Sequence, residues 1–391
     1  MDSTQPFIPF ARPRIGEEEI SAVIETLRSG WLTTGPKARQ FEQDFAARVG
    51  AEHAVAVNSA TAGLHLALEA CGVGPGDRVI TTPHTFTATA EVIRYLGADP
   101  VFVDIDREGL TISPAGIEAA LRNTPRCKAI IPVHFGGLAA PMDTIMDIAD
   151  RNDLKVVEDA AHALPTTCNG RLVGSIGTVT VFSFYANKTI TTGEGGMAVT
   201  NSEALAKRMQ TMRLHGISRD VFDRFTSKAS SWYYEVIAPG YKYNLTDLAA
   251  AIGIIQLRKA DEFATERAAI AARYNVAFAD MPVVLPQGPA AGDTHSWHLY
   301  VLQLKLDELR IDRDRVIDEL RALGIGTSVH YIPLHRQPYW RDTYHLSAAD
   351  FPVSDDVYHR SFSLPIWQGM SDAEIDRVIV SVRNVLTSNR S

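Results

Sequence analysis

Short apolar runs alternate with helix-like segments from about residue 53 to residue 200 of this 391-residue chain. The runs begin at 53, 78, 101, 129, 155 and 178, and helical patterns separate them at 64–70, 88–96, 114–122 and 142–152. Strands that alternate with helices in this way form a mostly parallel sheet that is covered by helices on both faces. Because ligands of such sheets bind beyond the carboxyl ends of the strands, residues that follow a strand are the first candidates for a site.

The composition excludes several classes of protein. Apolar residues make up 46% of the chain, which predicts a globular protein of about two domains. The 38 basic residues are outnumbered by 46 acidic ones and form no cluster, so nucleic acid is not an expected partner. The sequence contains no apolar run of 18 residues and no signal-peptide pattern, so no membrane span or secretion is expected. The isolated Cys71, Cys127 and Cys168 fit reduced thiols in the cytoplasm and no metal site.

The segment 178–200, TVTVFSFYANKTITTGEGGMAVT, predicts two strands joined by a tight connection with three glycines. Lys188 lies in this connection among small polar residues, with no acid before Glu194. Most lysines are solvated surface charges, but a solvated loop would normally carry more charge than this one. A lysine in a partly buried pocket has a lowered pKa and attacks carbonyl groups as an amine. That is the chemistry of a Schiff base with pyridoxal phosphate (PLP).

Two other loops follow predicted strands. Residues 58–63, NSATAG, lead from a strand into a helix, and the free N–H groups of a helix N-terminus bind anions such as phosphate. The alternative is that Ser59 or Thr61 only caps the helix. Phe86 lies between a strand and a helix, where it either packs in the core or covers a ligand ring.

Asp159 ends the run that begins at 155, and a carboxylate at the end of a buried strand needs a cationic partner. A protonated pyridine nitrogen of PLP would be such a partner, and a salt bridge or a cap is the alternative. His162 follows closely and either reaches the same ring or packs as an ordinary histidine. Four elements are therefore predicted to meet in one pocket beyond the strand ends: the 58–63 loop, Phe86, Asp159 and Lys188.

The C-terminal part of the chain has a different pattern. A long helix is predicted from 248 to about 279, then strands at 298–304 and 326–331 and helices at 313–323 and 373–386. This pattern predicts an α/β large domain at 1–265 and a smaller α+β domain at 266–391. The first 15 or so residues are expected to pack on the smaller domain. The polar stretch 218–232 predicts a mobile loop.

The chain resembles the DegT/DnrJ/EryC1/StrS family of PLP-dependent nucleotide-sugar aminotransferases over nearly its whole length. Specific motifs carry the resemblance: SGWLTTGP (29–36), NSATAGL (58–64), EDAAHA (158–163), FSFYANKTITTGEGG (182–196) and GYKYNLTD (240–247). The last of these, together with CKAIIPVH (127–134) and HSWHLY (295–300), is most similar to the UDP-4-amino-4-deoxy-L-arabinose:oxoglutarate aminotransferase branch. The chain departs from that branch at Tyr185, where histidine is usual.

The resemblance implies the aspartate aminotransferase-like fold type I and a homodimer with shared active sites. It implies that Lys188 forms the Schiff base, that Asp159 pairs with the pyridine nitrogen and that PLP is the cofactor. The remaining cofactor contacts that it implies are Phe86 on the ring, His162 near the phenolic oxygen, Thr61, Ala62 and Ser183 on the phosphate, and Lys242 or Asn244 on the partner subunit's phosphate. Substrate contacts are suggested at Thr33, Gly35, Tyr185 and His330.

These features predict ping-pong transfer of an amino group from L-glutamate to a nucleotide-linked keto sugar, in particular a UDP-4-keto sugar. Three alternatives are a PLP-dependent sugar dehydratase, a catalytically silent regulator of the same fold and an unrelated α/β ligand-binding protein. Related dehydratases carry histidine at the lysine position, so Lys188 argues against the first. The joint presence of Lys188 and Asp159 argues against a silent regulator.

Overall fold

The computed structural model describes residues 6–218 and 233–391. Its strands, numbered in chain order, are β1 His53–Val57, β2 Arg78–Thr81, β3 Asp99–Phe102, β4 Cys127–Ile130, β5 Lys155–Asp159, β6 Thr167–Cys168, β7 Arg171–Leu172, β8 Val179–Ser183, β9 Gly196–Thr200, β10 Val283–Val284, β11 Tyr300–Leu304 and β12 Ser361–Leu364. Its α-helices are Glu17–Ser29, Pro36–Val49, Ala60–Ala70, Ala88–Tyr95, Pro114–Leu121, Met142–Arg151, Glu203–Met212, Asp247–Arg258, Ala260–Phe278, Arg313–Ala322, Pro338–Tyr344, Pro352–Arg360 and Asp372–Ser388. The predicted mobile loop lies, apart from Ser218, outside the described residues.

The central sheet has seven strands in the order β1-β9-β8-β5-β4-β2-β3. Only β9 runs against its neighbours, and the other strands share one direction. The prediction of a mostly parallel sheet is therefore confirmed. The strands β3 and β4 begin and end earlier than predicted. β4 ends before Pro132 because proline has no N–H group to continue the ladder.

Helices cover both faces of this sheet because alternate residues of its strands are apolar on both sides. On β8, Val179 and Val181 pack in the cluster formed with the helix Ala60–Ala70. Phe182, on the opposite face, packs against Phe45 of the helix Pro36–Val49 with ring centroids 5.0 Å apart. Because these strands run in one direction, their carboxyl ends lie at a common edge of the sheet.

The C-terminal part forms a second, antiparallel sheet in the order β10-β11-β12. The helix Asp372–Ser388 packs with this sheet in one hydrophobic core. The prediction of a strand at 326–331 was wrong, since Ser328 makes only an isolated bridge to Ser363. The segment does not form a strand because its backbone hydrogen bonds go to two different partners. Ser328 bonds with Ser363, whereas the N–H group of Gly326 donates to the carbonyl of Ile8 at 2.8 Å.

The predicted long helix from 248 to 279 is two helices that meet at Lys259. The ammonium of Lys259 contacts Glu18 at 2.7 Å and Glu19 at 2.9 Å on the first helix of the chain. These ion pairs connect the junction of the two helices to the first helix of the chain.

The helix Ala260–Phe278 contributes to two hydrophobic cores. Phe263 packs with the large sheet, whereas Tyr274 packs with the small one. The domain boundary at 265/266 thus falls inside this helix, and it stays a prediction. Ile8, near the start of the described chain, is buried in the core of the smaller sheet.

The helices of residues 6–218 and 233–391 include none with both the length and the apolar composition needed to cross a bilayer. Cys71, Cys127 and Cys168 are free thiols.

Candidate active site

A cavity of about 440 Å³ lies beyond the carboxyl ends of β5 and β8. Eight of the predicted site residues line it: Thr61, Phe86, Asp159, His162, Ser183, Tyr185, Lys188 and His330. Residues from distant parts of the chain meet here because the parallel strands end at the same edge of the sheet.

Asp159 is held at the floor of this cavity by neutral donors. Its Oδ2 accepts a hydrogen bond of 2.8 Å from the hydroxyl of Thr89, and its Oδ1 accepts one of 3.2 Å from the backbone N–H of Ala161. The side chain of Asp159 makes no ion pair with any of the described residues, although only 7% of the residue is exposed. A carboxylate that is buried in this way requires a cation, and a ligand in the cavity can supply it.

Lys188 lies in a connection that threonine hydroxyls stabilise. Thr191 Oγ1 donates to the carbonyl of Phe184 at 3.0 Å and accepts from the N–H of Gly193 at 2.9 Å. Gly193 has a φ of +82°, a left-handed conformation that glycine adopts without strain. These bonds replace a regular ladder between β8 and β9 and explain why the loop is polar but carries little charge.

The amine of Lys188 has no hydrogen-bond or ion-pair partner within residues 6–218 and 233–391. Burial lowers the pKa of Lys188 to about 8, a shift that Asp159 opposes and Arg267 reinforces. A substantial share of the amine is therefore neutral near physiological pH. This is the state that a nucleophile or a general base requires.

The helix Ala60–Ala70 begins at the cavity. Ser59 caps it, because its hydroxyl accepts the N–H of Ala62 at 3.1 Å. Ser59 therefore caps the helix, as the alternative interpretation predicted. This cap occupies the N–H group of Ala62, which does not line the cavity. The N–H groups of Ala60 and Thr61 belong to the first turn and have no partner within the helix. They are the donors that this helix end can offer to an anion.

Glycine permits the close approach of β9 to this helix end. A Cβ atom on Gly196 would lie 2.7 Å from the nitrogen of Ala60, a distance that real structures do not show. A larger residue there would displace the first turn of the helix. The glycines of the 182–196 motif thus shape the anion site as well as the loop.

His162 and Tyr331 form a hydrogen-bonded pair at the wall of the cavity. His162 Nδ1 accepts the N–H of Gly136 at 3.2 Å, and its Nε2 lies 3.0 Å from the hydroxyl of Tyr331. Burial and the neighbouring Lys188 hold the pKa of His162 well below its usual value, so the ring is neutral. Because Nδ1 is the acceptor, the proton is on Nε2 and is donated to Tyr331. The hydroxyl proton of Tyr331 is then available to the cavity.

Two other predicted residues of the cavity, Phe86 and Tyr185, are exposed, whereas His330 is more buried. Phe86 is 58% exposed and its ring lies 6.0 Å from that of Tyr331, so it is not a core residue. Tyr185 is also exposed. His330 is held by a hydrogen bond of 2.8 Å between its Nδ1 and the hydroxyl of Ser363.

Thr33, Gly35, Lys242 and Asn244 do not line this cavity. The loop that holds Thr33 and Gly35 contacts the segment 242–247 instead. Asn244 donates to the hydroxyl of Thr34 at 2.6 Å, and the N–H of Gly35 donates to the carboxylate of Asp247 at 2.7 Å. The ammonium of Lys242 bonds to the side-chain oxygen of Asn244. The two segments therefore form one surface outside the cavity of their own chain.

Sequence reasoning missed Thr89, Tyr331, Asn187 and Glu194, which also line the cavity. Thr89 follows Thr85 at the spacing of one helical turn, and the hydroxyl groups of the two residues lie 2.7 Å apart. This spacing could have indicated Thr89 from the sequence. Tyr331 was hidden because the segment before it resembles an ordinary strand.

The polar groups around the cavity fit PLP. The fit rests on a carboxylate without a cationic partner, an amine of lowered pKa and a helix end with free N–H groups, all around one cavity. On a mostly parallel α/β sheet, these features define a PLP-dependent enzyme of fold type I.

The family model of the DegT/DnrJ/EryC1/StrS aminotransferases matches residues 13–383, and the chain belongs to this family. It is 50% identical over 381 residues to the spore coat polysaccharide biosynthesis protein SpsC of Bacillus subtilis, and the alignment covers 97% of each protein. The putative sugar aminotransferase Spr1654 of Streptococcus pneumoniae, in its PLP form, has a TM-score of 0.90 and 33% identity, with 98% of this chain and 99% of that chain covered.

A third relative is PseC of Helicobacter pylori, an aminotransferase involved in the biosynthesis of pseudoaminic acid. Its TM-score is 0.89 at 28% identity, and the match covers 98% of this chain and 100% of that chain. The predictions of the family, the fold and PLP as the cofactor are confirmed. The roles of the individual residues and the arabinose branch stay predictions.

We expect Tyr331→Phe to lower the free energy of unfolding of the cofactor-free protein by about 1–3 kcal/mol, because it leaves the buried Nε2–H of His162 without an acceptor. Urea unfolding measures the change. Tyr339→Phe is the matched control, since Tyr339 is 55% exposed and should leave the stability unchanged. Equal stabilities for the two variants would show that the His162–Tyr331 bond does not form.

Proposed function

We propose that this chain transfers an amino group from L-glutamate to a nucleotide-linked keto sugar, with a UDP-4-keto sugar as the first substrate to test. The observation that carries the proposal is the joint placement of Lys188 and Asp159 on one cavity. The relatives support the sugar as acceptor, because SpsC is named for polysaccharide biosynthesis and Spr1654 is described as a putative sugar aminotransferase.

When bound, PLP supplies an aldehyde that captures amines and a ring that withdraws electrons from the adjacent carbon. Asp159 would hold a proton on the ring nitrogen, and the bonds from Thr89 and Ala161 orient its carboxylate for this contact. The free N–H groups of the helix at Ala60 and Thr61 and the hydroxyl of Ser183 would bind the phosphate.

Lys188 would move the proton at the α-carbon of the amino donor. With a pKa of about 8, its amine is basic enough to accept this proton and is neutral often enough to do so. Tyr331 would donate a hydrogen bond into the cavity, because its pKa is raised by burial and by Asp159 and the hydroxyl stays protonated. The exposed rings of Phe86 and Tyr185 would cover the ligands near the opening. The two substrates would use the same cavity in turn, which gives ping-pong kinetics.

The proposal predicts that the purified protein forms 2-oxoglutarate from L-glutamate when a suitable keto sugar is present. A panel of UDP-, GDP- and dTDP-linked keto sugars, analysed by mass spectrometry, would identify the amino sugar product. Lys188→Ala should abolish turnover and yet retain PLP through the other contacts. A Lys188→Ala protein that turns over at the wild-type rate would refute the role of Lys188, and an inert wild-type protein would refute the acceptor class.

Asp159→Asn keeps the size of the side chain and removes its charge. We expect the rate to fall by several orders of magnitude, with a much smaller loss of bound PLP, because the ring nitrogen loses its proton. Single-turnover kinetics and cofactor content measure the two effects. A fall of less than about tenfold, or 1.4 kcal/mol, would limit Asp159 to a structural role.

We further propose a homodimer in which Lys242 or Asn244 completes the phosphate site of the partner subunit. Both side chains lie outside the cavity of their own chain, on the surface that they share with the Thr33–Gly35 loop. A phosphate dianion gains from a charge-assisted contact that the helix end alone does not supply.

Subunit exchange tests this arrangement. Lys188→Ala mixed with the Lys242→Ala/Asn244→Ala double variant should recover activity, because each heterodimer then has one intact site and one site with both defects. Each heterodimer is expected to reach half the activity of a wild-type dimer. Lys188→Ala mixed with Asp159→Asn is the matched control and should stay inactive. Exchange without recovery in the first mixture would mean that one chain builds the whole site.

A further inference from the structure

Arg267 is a fully buried cation without an acidic partner among the described residues. It is 1% exposed. Its Nε donates to Gln368 Oε1 at 3.1 Å, and its Nη1 donates to the carbonyls of Ile366 at 2.9 Å, Trp297 at 3.2 Å and His298 at 3.4 Å. Burial lowers the pKa of Arg267 only to about 10, so the guanidinium is charged at neutral pH. These acceptors serve the hydrogens of Nε and Nη1 and leave the charge of the guanidinium uncompensated.

The buried charge is connected to the loop that carries Lys188. Gln368 accepts from Arg267 and donates through its Nε2 to the carbonyl of Thr189 at 3.2 Å. Thr189 directly follows Lys188. A single side chain therefore joins the guanidinium to the backbone beside the amine, and both of its hydrogen bonds are buried.

The other titratable groups around Lys188 do not replace this cation. His162, His298 and His330 have pKa values that burial holds below the usual value, so they are neutral. Tyr331 stays protonated. Of the two acids that line the cavity, Asp159 and Glu194, Asp159 acts in the opposite direction and favours a charged amine.

We propose that Arg267 is a positioning residue whose uncompensated charge adds to burial in favouring the neutral amine of Lys188, with Gln368 fixing the distance between the two. The proposal rests on the reactive role of Lys188 proposed above. Two like charges in a region of low dielectric repel each other, so the charge of Arg267 disfavours the ammonium form of Lys188. An acid beside Arg267 would cancel this effect, which gives a reason for a site built only of carbonyl and amide oxygens.

Competitive acylation of the cofactor-free protein tests the proposal without any need for catalysis. Acetic anhydride reacts only with neutral amines, and peptide mass spectrometry gives the fraction of Lys188 modified at each pH. The midpoint of this curve reports the protonation of Lys188 even if the chain has no transaminase activity. A failure of the proposed function therefore leaves this measurement interpretable.

Four variants separate charge from structure. Arg267→Lys keeps a cation, and we expect its midpoint to stay near that of the wild type, at about pH 8. Arg267→Gln removes the cation, and we expect its midpoint to rise by about one unit or more. Gln368→Glu places a carboxylate on the guanidinium and should also raise the midpoint. Gln368→Met removes both hydrogen bonds without adding charge and is the matched control for Gln368→Glu.

A structural role for Arg267 would lower the thermal stability of both arginine variants and leave their midpoints equal, and this result would overturn the proposal. The Gln368 pair decides the question if the arginine variants do not fold. If the acylation midpoint of Lys188 is the same in Gln368→Glu as in Gln368→Met, neutralising the guanidinium does not affect the protonation of Lys188, and the proposal is overturned.

Discussion

The cost of burying a charged amine is the constraint on which the cavity depends. An ammonium group that leaves water without a partner loses far more free energy than one hydrogen bond returns. The described residues offer no direct partner to Lys188, and its pKa falls to about 8 because of burial. The same burial that destabilises the ammonium form produces the reactive form. The surrounding fold must therefore hold a lysine in a place that the isolated side chain would avoid.

The topology of the sheet provides this place. β9 runs against its neighbours, so the chain must turn back directly after β8, at the edge where the parallel strands end. The connection runs from 184 to 195, and hydroxyl groups such as that of Thr191 replace the missing ladder bonds. Lys188, in this turn, therefore lines the cavity beyond the ends of β5 and β8.

Much of this arrangement could be predicted from the sequence, because its signals are local. The alternation of strands and helices predicts a mostly parallel sheet, Asp159 ends β5, and Lys188 lies in the connection that follows β8. Tertiary effects account for the errors. The break at Lys259 depends on ion pairs with the first helix, and Ser328 pairs with Ser363, a residue distant in the sequence. The sequence also shows two adjacent acids, and only the structure reveals that Glu158 is used by His134, Thr180 and Gly177.

The charge balance of the cavity favours a site that one chain does not complete. The phosphate of PLP and the proposed amino donor, L-glutamate, would bring several negative charges, whereas the titratable side chains of the cavity include two acids, Asp159 and Glu194. The histidines are neutral, and among the described residues that line the cavity Lys188 is the one basic side chain with an amine or guanidinium. Cations must therefore approach from beyond these residues. Lys242, on the surface outside the cavity of its own chain, is such a cation, and a two-fold axis would bring one copy of it to each site.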